Sequence, residues 1–242
     1  MSASLQNQTA LVVGASSGIG RATAVLLARE SVRVMAAARR EDRLRSLQTE
    51  LAEAGYSIDS CAVDVSRPES IERMAALARE RFGKIDILVY AAGANDPGRS
   101  LRRLTPAIWD KILQVNLTGA YHATQAVLPQ MRAAGAGHLV YIASISSLVP
   151  DVSGAAYQAA KRGLLGMAHA VRVEEKENGI RTCVIFPGLV DTEMLNLRPV
   201  KTPPEVVAKA LQPEDVAEAV LAVLRLHPRA SVPEMQVLPT YL

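Results

Sequence analysis

Short apolar runs alternate with longer segments of helical period almost from end to end of this chain, and few architectures tolerate that pattern. Strands are expected at 9–13, 32–38, 60–63, 86–91, 138–143, 181–186 and 235–238, with helices at 21–29, 42–54, 68–82, 106–133, 155–178 and 214–226. The strand segments are continuous runs rich in Val and Ile, so both of their faces must be covered. The expectation is a three-layer α/β fold: a doubly wound parallel sheet of about seven strands with helices on both faces. No linker, repeat or low-complexity tract interrupts the 242 residues, which read as a single domain, 1–242. The pattern loosens only at 189–212, where Pro199, Pro203 and Pro204 interrupt the helical signal.

Composition removes several function classes. No apolar run approaches the ~18 residues of a membrane span, and the polar start leads directly into a strand, so neither a membrane segment nor a secretory signal is expected. Cys61 and Cys183 fall in strand-like runs without metal-ligand spacing and read as free thiols in a reducing cytoplasm. The net charge of +3 is spread along the chain, which argues against nucleic acid as a partner. His122, His138, His169 and His227 lack metal spacing and read as structural or surface residues, and no metal site is expected. Trp109 reads as a packing residue, and Glu174, Glu175 and Glu177 as a solvated helix face. Arg39, Arg40, Arg43 and Arg45 form one local cluster, either a phosphate site or an exposed first helical turn.

Between the first strand and the first helix lies Gly14-Ala15-Ser16-Ser17-Gly18-Ile19-Gly20. A GxxxGxG turn heading a βαβ unit allows close approach of backbone to a pyrophosphate and presents free amides at a helix N-terminus. The plainer alternative is an ordinary tight turn. At the end of the second strand, where a carboxylate would hold the adenosine ribose of NAD, stand Ala38, Arg39 and Arg40. An arginine there can pair with a 2′-phosphate and no carboxylate repels one, so NADP(H) is expected over NAD(H). Farther on, Tyr157 and Lys161 are four apart on an expected helix and share a face. A nearby ammonium can activate a phenol, and bringing its pKa from ~10 to ~7 takes roughly 4 kcal/mol. The same spacing also suits a solvated face.

Taken in order, these pieces resemble the single-domain type of short-chain dehydrogenase/reductase from about residue 9 to residue 238. The resemblance rests on the GxxxGIG loop, Asp64-Val65, Ala92-Gly93, Asn116 in Asn-Leu-x-Gly, Ser144, Tyr157-x-x-x-Lys161, and Pro187-Gly188 followed by Thr192. It implies a Rossmann-type fold and hydride exchange between NADP(H) and a ketone or aldehyde or the corresponding alcohol. By the same resemblance, Tyr157 is the proton donor or acceptor, and Ser144 bonds the substrate oxygen. Lys161 lowers the tyrosine pKa and binds the nicotinamide ribose, while Asn116 helps hold a water that connects Lys161 to solvent. Ser146 and Ser147 compete for the serine role but are assigned to the wall or a turn. Ile19 is placed near the pyrophosphate with Gly14, Ser16, Ser17, Gly18 and Gly20. Asp64 and Val65 flank the adenine, and Val190 and Thr192 meet the nicotinamide amide.

Two positions depart from the family pattern. Val13 replaces a usual threonine, and Tyr90-Ala91-Ala92-Gly93 replaces Asn-Asn-Ala-Gly. Hydrogen bonds steadying the loop and the fourth strand are expected to be lost there. Substrate choice is assigned to 95–101, 145–155 and a substrate loop at 189–212, which carries Met194, Leu195, Leu197, Arg198 and Lys201. The alternatives are a 3-oxoacyl-thioester reductase acting on an acyl carrier and a non-catalytic NADP-binding regulatory protein. The resemblance further implies a homo-oligomer, a dimer or tetramer, built on the two long helices and the last strand.

Overall fold

A computed structural model describes residues 4–241; residues 1–3 and 242, which the single-domain reading includes, lie outside the described residues. Seven parallel strands form one sheet in the order β3-β2-β1-β4-β5-β6-β7. The central strand β1 (Thr9–Val13) pairs on one side with β2 (Arg33–Ala38), which carries β3 (Asp59–Ala62). On its other side it pairs with β4 (Ile87–Tyr90), followed by β5 (Gly137–Ile142), β6 (Ile180–Pro187) and β7 (Glu234–Val237). The strand order reverses between β1 and β4, and an open sheet binds its ligand outside the carboxyl ends of the strands at such a point.

Successive strand residues face opposite layers. Val12 and Ile142 pack under α1 (Gly18–Arg29), α2 (Glu41–Glu53) and α8 (Pro213–Leu224). Leu11 and Tyr141 pack under α3 (Pro68–Phe82), α5 (Gly119–Ala134) and α6 (Ala155–Glu175). The register pairs Val13 with Tyr90 and Ile142 with Ile185, so the segments after β1, β4, β5 and β6 leave the sheet along one edge.

The helix expected at 106–133 is broken. It consists of α4 (Pro106–Leu113), a π-helical turn (Gln114–Thr118) and α5. Two side chains draw carbonyls there out of regular helical pairing: Asn116 donates to Ile112 O at 2.8 Å and Tyr90 Oη to Val115 O at 2.6 Å. The phenol fits because residue 119 is glycine, where a Cβ would stand 2.5 Å from the Tyr90 oxygen. Tyr90 thus supplies a hydrogen bond of its own at the position where loss was expected. At the start of the loop after Val13, Gly14 N and Ala15 N both donate to Ala37 O.

Other boundaries shift modestly. α1 begins at Gly18, ahead of residue 21, and the last turn expected in α6 is a separate 3₁₀ turn, Lys176–Asn178. Glu175 is not on a solvated face: it is buried, held by Arg132 Nε at 2.9 Å and Asn178 Nδ2 at 2.8 Å. Residues 189–212 contain a 3₁₀ turn (Glu193–Leu197) and the single-turn α7 (Pro204–Val207), and Val190 bridges to Leu211.

Candidate active site

The glycine-rich turn is built from backbone contacts that exclude side chains. Gly14 has φ +94°, and a Cβ on it would lie 2.6 Å from Ala92 N, while one on Gly20 would lie 2.4 Å from Gly14 O. The chain after β4 therefore crosses directly against the turn. Ser17 precedes α1 without capping it through its side chain, so first-turn amides remain directed at the cleft. At the cleft's outer end Arg40 donates to Ser16 Oγ (Nε, 3.1 Å) and Ser17 Oγ (Nη2, 2.6 Å), and pairs with Glu193 at 2.7 Å. Arg43 pairs with the same carboxylate. Arg39 is exposed, and its charge helps hold Asp64 below the usual carboxylate range, chiefly after the hydrogen bond from Ser66. A close-approach cradle, open helix amides and guanidinium groups at one end together fit an anionic dinucleotide.

Two adjoining cavities of about 200 Å³ each run along this edge and share Ile19, Ala91, Gly93, Thr192 and Met194 in their walls. The first collects Gly14, Ser16, Ser17, Gly18, Gly20, Arg39, Arg40, Asp64, Val65 and Ala92. The second collects Ser144, Tyr157, Lys161, Pro187, Gly188 and Val190. Every residue expected in the catalytic or cofactor set lines one of them except Asn116, which is fully buried; of the substrate-loop residues, Met194, Leu195 and Arg198 line the second cavity, while Leu197 and Lys201 line neither. Both amide hydrogens of Asn116 are committed, to Ala94 O and Ile112 O at 2.8 Å, while its Oδ1 accepts from Ala94 N at 3.3 Å. It fastens the chain after β4 to the π turn.

Tyr157 and Lys161 lie on the first turns of α6. Gly154, at φ +99°, precedes them, and a Cβ there would come within 2.7 Å of Arg99 O. Lys161 is 4% exposed and donates through Nζ to Ile142 O at 2.8 Å, with Nζ 5.7 Å from the centre of the Tyr157 ring. Burial pushes the Tyr157 phenol up to about 12 and the Lys161 ammonium down to about 8. The ammonium is turned to a strand carbonyl below the ring, and the groups that draw the phenol down are Ser144, by hydrogen bonding, and Arg99, by charge. Ser144 donates to Ser146 Oγ at 3.1 Å, and Ser146 donates in turn to Asp151 Oδ2 at 2.5 Å. Ser146 is the second member of a relay, while Ser147 is buried without a partner for its hydroxyl.

Sequence reasoning missed Arg99, Asp151 and Glu193. Arg99 and Asp151 lie within two segments assigned to substrate choice, but nothing in local spacing distinguishes them. They converge because Asn95 Nδ2 donates to Ser153 O at 3.0 Å and Gly154 admits the Arg99 backbone. Glu193 sits in the loop's 3₁₀ turn, and its partners are about 150 positions away in sequence. The histidines form no cluster: among the described residues no three His, Cys, Asp or Glu side chains group to hold a metal ion. His138 is buried in β5, and desolvation pulls its pKa down to about 3.

With this geometry in place, the comparisons agree. The short chain dehydrogenase family profile matches residues 8–201. An uncharacterized oxidoreductase of Staphylococcus aureus is 32% identical over 235 residues, covering 97% of this chain and 98% of the relative. Among solved structures, a metagenomic short-chain oxidoreductase in complex with NADP is 32% identical with a TM-score of 0.85, covering 99% of this chain and 100% of its own. A variant of actinorhodin polyketide ketoreductase with NADPH is 31% identical with a TM-score of 0.89, covering 99% and 98%. A match that spans most of the chain, on a seven-stranded parallel sheet whose carboxyl edge carries the glycine cradle and Tyr157 with Lys161, identifies this protein as an oxidoreductase of the short-chain dehydrogenase family.

Proposed function

We propose that the protein interconverts a ketone or aldehyde and the corresponding alcohol with NADP(H), Tyr157 exchanging the proton. The observation that carries this reading is the meeting of Ser144, Tyr157 and Lys161 in the cavity that adjoins the glycine cradle. When bound, the nicotinamide gives or accepts the hydride. Tyr157 Oη donates its proton to the carbonyl oxygen during reduction and recovers it during oxidation. On substrate binding the Ser144 hydroxyl proton turns from Ser146 Oγ to the same oxygen, while Ser146 N, donating to Ser144 Oγ at 3.2 Å, keeps the oxygen in place. Lys161 holds positive charge beneath the phenol as negative charge develops there. Asn116, with its amide hydrogens committed, acts as a positioning residue for Gly93 and the chain beside Lys161, and a water near it would return the proton through Lys161. A non-catalytic dinucleotide sensor would need no such proton donor. The test is a screen of purified protein with NADPH against ketones, aldehydes, 3-oxo acids and acyl thioesters, followed by absorbance; turnover of at least one carbonyl class is expected, and tight NADPH binding without any turnover would favour the sensor.

The cofactor assignment rests on the arginines after β2 and is consistent with the NADP and NADPH bound in two similar structures. Arg40 and Arg43 already hold one carboxylate, that of Glu193, so they can gather around an anion, and a 2′-phosphate would compete with it. Comparing kcat/KM for NADPH and NADH in the parent and in Arg39→Asp and Arg40→Asp should show the parent favouring NADPH. Each variant should lose roughly 10- to 100-fold of that preference, as expected for a charge-assisted contact. Equal use of both cofactors by the parent contradicts the assignment.

We also propose a homodimer or homotetramer acting in the cytoplasm. Tyr121 on α5 and Val173 on α6 are exposed at 46% and 58%, and β7 is an unpaired sheet edge, so the helix pair and last strand offer surface to a second copy. The cytoplasmic assignment rests on the buried free thiol Cys183 and the half-buried Cys61. No described helix is long and apolar enough to cross a membrane. Sedimentation at micromolar concentration should show a dimer or tetramer, and monomer alone would contradict the assembly.

A further inference from the structure

The second cavity contains a cation that carbonyl chemistry does not require. Arg99 is 8% exposed, its Nε has no hydrogen-bond partner, and no ion pair among the described residues includes it. Its guanidinium nevertheless lines the same wall as Ser144 and Tyr157, and its charge reaches the phenol. Arg198, half-buried in the loop after β6, lines the cavity too; its Nη1 donates to Thr202 at 3.0 Å, and its charge repels that of Arg99. Two guanidinium groups share the wall of one cavity with a single carboxylate, that of Asp151, which leaves an excess of positive charge that an entering anion would offset. Asp151 accepts from Ser146 Oγ at 2.5 Å and Ser153 N at 2.9 Å; its charge acts on Arg99 from a distance, but it makes no ion pair with either arginine.

The arrangement is deliberate in its construction. Arg99 lies between Asn95, tied to Ser153 O, and Gly154, where any side chain would collide with the Arg99 backbone and stem. The loop after β4 is thereby fastened to the start of α6, and the guanidinium is kept beside the catalytic tyrosine. The geometry points to a substrate that carries a carboxylate close to its reacting carbonyl, an oxo acid or the matching hydroxy acid, with Arg99 as the principal anion contact and Arg198 as the second. The short span follows from Arg99 and Tyr157 lining the same cavity of about 200 Å³. This inference rests on the carbonyl-reductase reading above and names its substrate class.

The test compares an oxo acid with its methyl ester, using NADPH and full-length protein. The readout is the ratio of kcat/KM for acid over ester, with KM and kcat resolved separately so that binding of the carboxylate is distinguished from any effect of Arg99 on Tyr157. The parent should favour the acid by roughly 100-fold, Arg99→Met should abolish most of that ratio chiefly through KM, and Arg99→Lys should retain part of it. Arg198→Met should reduce the ratio by a smaller factor. Thermal unfolding and NADPH binding of each variant establish that the fold and the cradle persist. A parent that reduces acid and ester equally, or an Arg99→Met ratio equal to the parent's in folded protein, overturns the inference while leaving carbonyl reduction intact. Preference for a phosphorylated ketone over the oxo acid overturns the carboxylate assignment. Failure to reduce any carbonyl overturns the reading on which the inference stands.

Discussion

Tyr157 and Lys161 are shifted in opposite directions by the same burial, because desolvation disfavours the charged form of each. A phenol pushed up to about 12 is protonated throughout the neutral range, which suits a donor and handicaps a base. Reduction therefore starts from the dominant protonation state, whereas oxidation starts from a rare one. Lys161, pulled down to about 8, is charged below that pH and loses its proton above it. The account predicts that kcat/KM for alcohol oxidation rises with pH into the alkaline range, and that reduction holds steady below about 8 and declines above it. Initial rates in both directions across one pH series check this; an oxidation rate that peaks in acid would contradict the protonation states assigned here. Arg99 and Ser144 both ease ionisation of the phenol, so a bound carboxylate that neutralises Arg99 would further favour the protonated donor.

At the scale of elements, the π turn between α4 and α5 is where Tyr90, one of the departures from the family pattern, finds its partner. Tyr90 is fully buried and its hydroxyl supplies a donor to Val115 O inside that turn, while Asn116 bonds both Ile112 O and the chain after β4. Tyr90→Phe removes only the oxygen and leaves a buried carbonyl short of a partner. It should lower stability by about 1–3 kcal/mol. Denaturant unfolding measures this, and an unchanged midpoint would show that the hydroxyl adds nothing to the turn. The broken helix was not visible in periodicity, because apolar spacing runs through 106–133 without interruption. The break is made by side chains reaching from β4 and from the turn itself. The strand and helix sequence elsewhere was legible, since buried parallel strands and amphipathic helices leave different periods.

Over the whole molecule, the sheet gathers the ends of β1, β4, β5 and β6 on one edge, and this places residues from position 14 to position 198 around two adjoining cavities. Groups tied to a backbone shape or a fixed spacing could be recognised in the sequence: Gly14 and Gly20, which no side chain can replace, and Tyr157 with Lys161 on one helical face. Arg99, Asp151 and Glu193 could not, because each is brought in by a tertiary contact between segments far apart in the chain. The same distinction applies at Tyr157: spacing shows that Lys161 is near, while the burial of both groups and the bond from Lys161 to Ile142 O appear only in the fold. The most direct test of the central claim is Tyr157→Phe, measured side by side for NADPH affinity and for single-turnover reduction of a carbonyl that the parent accepts. The account predicts affinity within about threefold of the parent and a rate lower by roughly 10²- to 10⁴-fold. An undiminished rate in folded, NADPH-binding variant would reject Tyr157 as the proton donor.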